Sequence, residues 1–384
     1  MPRSLRVLVA PDKFKGTLSA RGAAEAIERG VREAATVVGV AAQIDVCLLA
    51  DGGEGTAEIL ARAWDDEAEC RVMKVIGPRG GGIDALWWCG GADKAAFDSA
   101  AACGLSLVPL ERRDPTLAGT FGVGMMLMMI GSGSINVAVG LGGSASVDGG
   151  VGLASALGWR FEDDGGRAIS TPRGADLGRI ARAIGPAEHS SFRGMLSGCR
   201  LRVLCDVTTP LLGGRGCAAV FGPQKGATPA QVRQLDDGLR RLVDVVGVAP
   251  IERDGAAGGL AYGLRVFAGP LARGVVLESG AKAVLDAAGF ARRVGQADLV
   301  ITGEGRFDLT SYEGKAVGEV IAAARKADRP VLVIAGGIEP GMGARLGVTL
   351  AACEGDTPPR DERDAALRLQ SAARTAFERW VQHA

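Results

Sequence analysis

Five stretches of the 384-residue chain set glycine beside acids, lysines and hydroxyls: 10–18 (APDKFKGTL), 50–56 (ADGGEGT), 140–152 (GLGGSASVDGGVG), 205–228 (containing DVTTP and FGPQKGAT) and 302–315 (TGEGRFDLTSYEGK). Their chemistry is of one kind. The backbone N–H groups of Gly142, Gly143 and Ser144 can form a nest for phosphate oxygens. Lys15, Lys225 and Lys315 are compact cations beside glycines, suited to the same oxygens. Asp12, Asp51, Glu54, Asp148, Asp206, Glu304 and Asp308 supply carboxylates for Mg²⁺ or for taking a hydroxyl proton. Magnesium usually binds one or two protein carboxylates and completes its shell with water and phosphate. Glycines, lysines and carboxylates without a usable histidine fit phosphoryl transfer, which asks for positioning and charge neutralisation more than covalent chemistry.

The residue inventory excludes other mechanisms. Only two histidines occur, His189 in a polar stretch and His383 next to the end, so neither a Ser-His-Asp triad nor a histidine-rich zinc site is well supplied. Eight cysteines form no C-x-x-C pair, and several lie in apolar runs such as 46–49, where a buried reduced thiol is expected. Neither a P-loop G-x-x-x-x-G-K-[ST] nor the H-R-D and D-F-G signatures of protein kinases is present. Two rival readings stay open on the residues alone. Residues 140–145 match G-x-G-x-x-A after a strand, with Glu162 about 20 residues on, as in an NAD(P)-dependent hydroxy-acid dehydrogenase. A non-catalytic binder of a phosphorylated metabolite would also use such loops, although extra carboxylates gain it nothing without a metal.

Each loop follows an apolar run, so a scaffold of strands must hold them. Runs at 5–10, 44–49, 135–139, 202–205, 299–302 and 331–335 read as buried strands of an α/β fold with a mainly parallel sheet. In open sheets of this kind ligands bind beyond the carboxyl ends of the strands. Runs at 71–76 and 85–88 read as strands of a different sheet, and 95–97 as a short strand. Ser19 is a plausible N-cap for a helix with apolar positions from Ala20 to Ala34. Thr228-Pro229-Ala230-Gln231 combines an N-cap, a proline at the first helical position and a capping-box glutamine. A last helix from about Arg363 should bury Leu369, Ala372, Ala373, Ala376, Phe377 and Trp380.

Length and charge bound the rest. The chain suits two domains, with residues 76–289 inserted into one made of 1–75 plus 290–384. Lys plus Arg and Asp plus Glu both number 44, giving zero net charge, and no nucleic-acid or anionic-membrane partner is expected. The longest apolar run, 125–130, is far short of a membrane span, and residues 7–10 are too few for a signal peptide, so a cytoplasmic location is expected.

The segments quoted above, in this order, resemble those of the type-I glycerate kinase family (the glycerate 2-kinase group). The resemblance extends to Gly255-Ala-Ala-Gly-Gly259 and to Thr302-Gly-Glu-Gly305 with Asp308, and covers essentially the whole chain. It implies ATP- and Mg²⁺-dependent phosphorylation of glycerate, with 2-phosphoglycerate the expected product. It also implies two α/β domains, one Rossmann-like and one flavodoxin-like, with an interdomain cleft, and a homodimer falls within expectation. On this basis the nucleotide falls to Gly142, Gly143, Ser144, Asp148 and Lys315, with Lys225 assisting. Asp206 is the first choice of base and Asp308 the second. The metal falls to Asp51, Glu54 and Glu304, with Asp206 a further candidate. The small hydroxy-acid falls to Asp12, Lys15, Gly52, Gly53 and Arg306. Which carboxylate is base and which is ligand stays open. The chain departs from the family pattern at Lys13, where serine is common, at Val147, where asparagine is frequent, and at Leu309-Thr310-Ser311, which replaces x-Gln-Thr. The last change removes a carboxamide able to orient substrate or phosphate.

Overall fold

The computed structural model describes residues 4–312, 315–343, 348–353 and 358–383. The fold is mixed α/β. The strands are β1 (Ser4–Pro11), β2 (Ala41–Val46), β3 (Glu69–Ile76), β4 (Gly82–Cys89), β5 (Lys94–Asp98), β6 (Asn136–Gly140) and β7 (Arg160–Glu162), followed by β8 (Ala168–Ile169), β9 (Arg182–Ile184), β10 (Arg200–Leu204), β11 (Gly274–Glu278), β12 (Leu299–Phe307), β13 (Val331–Ile338) and β14 (Thr349–Ala352). The chain divides into two compact units, Met1–Asp51 with Ala281–Ala384, and Gly52–Gly280. The α/β unit begun by the first residues is thus interrupted and completed by the last hundred or so.

The first unit carries a five-stranded sheet in the order β14-β13-β12-β1-β2, parallel throughout. Both faces are covered by helices, which is why β1 and the start of β12 are apolar almost without break. Alternate residues divide between two cores. Leu5, Val7 and Val9 pack with the helices Ala20–Val38 and Glu362–His383, while Leu8 and Ala10 pack with the helices Phe290–Gln296 and Ala316–Lys326. The pairing of β1 with β12 sets Pro11 beside Gly303, and the Asp12 amide donates to the Gly303 carbonyl at 2.9 Å. Two of the glycine-rich loops therefore leave the sheet side by side.

The second unit holds a six-stranded sheet, β11-β10-β6-β5-β4-β3, in which the first four strands are parallel and β4 and β3 are antiparallel additions. Its register aligns Asp98, Gly140 and Leu204 in one row at the carboxyl ends of β5, β6 and β10. A small sheet of β8-β7-β9 stands apart from this ladder.

Local signals were realised as expected. Ser19 Oγ accepts from the Gly22 amide at 3.1 Å, and Thr228 and Gln231 complete a capping box around the helix Pro229–Val246. The apolar run at 125–130 lies inside the helix Phe121–Gly131, and among the described residues no helix is long and apolar enough to cross a membrane. Two details differ. The second strand spans 41–46 rather than 44–49: the Cys47 amide makes the last bond to β1, on the Val9 carbonyl, and the side chains of Cys47 and Leu49 join the core that includes Phe290 and Val294. Trp380 is half-buried, at the margin of its helix's packing face.

The helices Ala20–Val38 and Glu362–His383 cross at Gly30, where a Cβ would lie 2.3 Å from the Gln370 carbonyl oxygen and 2.9 Å from the Ala373 methyl. Alanine is the better helix former by about 1 kcal/mol. Gly30→Ala should nevertheless destabilise the protein by about 1–3 kcal/mol, the cost of overpacking a fixed contact. Urea denaturation measures it, and a neutral or stabilising result would mean that the helices part freely.

Candidate active site

Each unit presents its own cluster of loops. In the first, the turn after β1 buries Asp12, whose Oδ1 accepts from the Lys13 amide at 2.7 Å. The Lys13 ammonium reaches back to Asp51 Oδ1 at 3.0 Å. Lys15 is exposed, and its backbone lies against Gly305. Glu304, near the end of β12, is strongly perturbed. Burial pushes its carboxyl up to about 7 against the pull of the Ser311 hydroxyl and the Lys315 ammonium, and Asp12 and Asp308 add to the upward push. Its Oε1 is buried without a hydrogen-bond partner among the described residues. Asp308 turns inward on its own loop, accepting from the Ser311 amide and hydroxyl, and Arg306 stands 3.8 Å from it with most of its side chain in solvent. Lys315 occupies the N-cap position of the helix Ala316–Lys326. The side chain of Thr310 lies outside those described.

In the second unit the loop after β6 is braced from behind. Lys225 is buried, and its ammonium donates to Ser144 Oγ at 2.8 Å and to the Ser146 carbonyl at 2.6 Å. Burial pushes it down to about 8, opposed by its surroundings at Cys217, Cys103 and Asp148. Asp148 is sealed from solvent, and burial raises its pKa. It accepts from the Thr120 hydroxyl and amide and from the amides of Gly150 and Gly152. Both residues therefore shape the loop from inside. Their hydrogen bonds run to the protein's own groups.

The loop's outer side is different. The amides of Gly142, Gly143 and Ser144 donate to no acceptor among the described residues, while Leu141, Ala145 and Val147 are all tied to backbone carbonyls. Gly143 is in the left-handed region at φ 61°. Gly142 admits no side chain, since a Cβ would lie 2.7 Å from the Gly53 Cα. Three consecutive amides without an acceptor among the described residues have the form of a backbone nest, the arrangement that suits an anion. Gly52 packs on the end of β10, and the exposed Glu54 lies beside Gly143. Asp206 follows β10 half-buried, directly after Cys205, whose carbonyl accepts from Arg253 at 2.6 Å. Val147 is fully buried, so an apolar residue suits that position.

Sequence reasoning missed the residues that hold these loops. Asp98 accepts from the amides of Gly55 and Ala57 and fixes the 52–56 turn. Arg253, itself at φ 74°, anchors the segment before Asp206. Ala257 sits at φ 53° ahead of Gly258 and Gly259, and the Gly258 carbonyl accepts from the Gly149 amide. The acid ending an apolar strand at Asp98 was the one available signal. The dinucleotide fingerprint does not hold: the helix after Gly140 begins only at Val151, and Glu162 lies in the separate small sheet.

Among the described residues no three His, Cys, Asp or Glu side chains gather as a metal-holding group. Mg²⁺ needs only one or two protein carboxylates, the remainder of its shell being water and phosphate. The partnerless Oε1 of Glu304 fits such a role, whereas Asp51 already carries the Lys13 ammonium.

A carboxyl raised from 4.5 to about 7 costs folding stability as it ionises: the folded state keeps its proton over this range and the unfolded state does not. Stability attributable to Glu304 should fall as the pH rises through that window. Glu304→Gln mimics the protonated acid and should be more stable than the wild type by about 1–3 kcal/mol at pH 8. The gain should shrink towards pH 5, as read by urea denaturation at both values. An equal effect at both would remove Glu304 ionisation as its cause.

The comparisons agree with this geometry. Residues 7–377 match the Glycerate kinase family. A glycerate 2-kinase of Escherichia coli (strain K12) is 38% identical over 347 residues, covering 88% of this chain and 87% of that protein. A glycerate kinase of Bacillus subtilis (strain 168) is 39% identical over 343 residues, covering 87% and 85%. A solved Salmonella typhimurium LT2 structure, described as a glycerate kinase 2, superposes with a TM-score of 0.77 at 32% identity over 99% of both chains. With its motif loops seated at the carboxyl ends of parallel strands and this similarity running along almost its full length, the chain belongs to the glycerate kinase family.

Proposed function

We propose that the protein transfers the γ-phosphoryl group of ATP to a hydroxyl of glycerate, giving 2-phosphoglycerate with Mg²⁺ as the metal. The observation that carries this reading is the row of unspent amides at Gly142, Gly143 and Ser144, fixed by Lys225 and Asp148. They hold the nucleotide phosphates at no reorganisation cost, the condition under which hydrogen-bond donors stabilise charge best. Lys225 and Asp148 act through the loop's shape, and Lys315 adds a cation near Glu304. Family membership supports glycerate as the acceptor.

Mg²⁺, when bound, neutralises charge on the transferring phosphoryl group. Glu304, whose Oε1 has no hydrogen-bond partner among the described residues, would hold it, and Glu54 is a further acid at the Gly143 turn. Asp206 takes the proton of the attacking hydroxyl. Asp308 is the weaker choice of base because Ser311 occupies its Oδ1. Lys15 and Arg306, both exposed cations of the first unit, bind the carboxylate of glycerate, and Asp12 orients the turn that carries Lys15.

Asp206→Asn should lower kcat by at least about a hundredfold, the scale of a lost general base, with far-UV circular dichroism unchanged. The assay supplies D-glycerate, ATP and Mg²⁺ and identifies the product by phosphorus NMR. Near-normal turnover would remove Asp206 from the mechanism, and a 3-phosphoglycerate signal would overturn the assigned product.

A further inference from the structure

We propose that the recess between β14 and the helix Glu362–His383 is a binding site for a planar organic anion, distinct from the loops that follow β1 and β12. It encloses about 710 Å³, within the range of small-molecule sites. One wall is a single row of the helix at four-residue spacing: Leu367, Ser371, Thr375, Arg379 and His383. The other is β14, the edge of its sheet. The Cys353 amide donates to the Ala335 carbonyl, so by the alternation of a parallel ladder the N–H and C=O groups of Leu350 and Ala352 point away from β13.

Three observations give the ligand's chemistry. The lining contains two arginines and a histidine but no aspartate or glutamate, in a chain of zero net charge. Arg368 is engaged by Asp364 at 2.9 Å, whereas Arg379 makes no ion pair among the described residues and offers its whole planar fork. The hydroxyls of Ser371 and Thr375 and the indole N–H of Trp380 likewise have no hydrogen-bond partner among them. The helix dipole accounts for cations in the last turn. It does not account for two hydroxyl residues and a tryptophan lining the same recess, whose rim is exposed at Ser371, Arg379 and His383. Arg379 receives the acid group, and the half-buried Trp380 with Leu350 receives a flat apolar body.

The test uses the full chain and two fluorescent probes of like shape, 8-anilinonaphthalene-1-sulfonate and its uncharged counterpart N-phenyl-1-naphthylamine. The sulfonate should bind saturably at one site per chain, with energy transfer from tryptophan, and more tightly than the uncharged probe. Arg379→Glu should weaken the sulfonate by about tenfold or more and leave the uncharged probe unchanged. Thr375→Trp should exclude both by filling the hollow, and unchanged circular dichroism certifies either variant's fold. Should Thr375→Trp misfold, Arg379→Glu alone decides. Equal affinity for the two probes, no saturable binding, or a sulfonate affinity untouched by Arg379→Glu would overturn the proposal.

Discussion

A buried ammonium group sets the shape of the second unit's ligand loop. Lys225 gives up water to donate to Ser144 Oγ and the Ser146 carbonyl, and burial pushes its pKa down to about 8. Keeping that charge at neutral pH costs on the order of 3 kcal/mol, a large share of a domain's net stability. The return is rigidity. Lys225 ties the loop at Ser144 and Ser146 and Asp148 ties the next turn at Gly150 and Gly152, while the amides of Gly142, Gly143 and Ser144 have no acceptor among the described residues. The left-handed Ala257, packed where Gly258 meets Gly149, is a second local cost in the same neighbourhood.

The first unit solves a different electrostatic problem. Burial raises the proton affinity of Glu304, and the nearby carboxylates of Asp12 and Asp308 add to it. Lysines temper the repulsion from three directions in sequence: Lys13 on Asp51, Lys315 towards Glu304, and Lys15 exposed nearby. The departure at Lys13 thus has a physical consequence. A tethered cation occupies a carboxylate that a shorter, uncharged residue would leave to other partners. The departure at Val147 has a simpler one, because the position is wholly enclosed by apolar neighbours.

Much of the fold was legible because its determinants are local. The Ser19 and Thr228 caps depend on residues three positions away, and the apolar runs of β1, β6, β10, β12 and β13 are long enough to announce buried parallel strands. The five loops could be found for the same reason, as each simply follows its strand. Reading Lys225 and Asp148 as groups facing a ligand was natural, since composition says which residues sit beside glycines but not which way they turn. Asp98 escaped notice because its partners lie more than forty positions earlier.

By itself, the sequence determined the class of fold, the places where strands hand over to glycine loops, and the family's chemistry, since propensity, periodicity and capping act within a few residues. Only the tertiary structure decided which charges face inward. Lys225 finds its acceptors about eighty residues away, and Glu304 owes its raised pKa first to burial and then to the carboxylates of Asp12 and Asp308 from separate loops. Those contacts exist only once parallel strands align the loop origins in one row, and the electrostatic cost of burial is set by that three-dimensional neighbourhood.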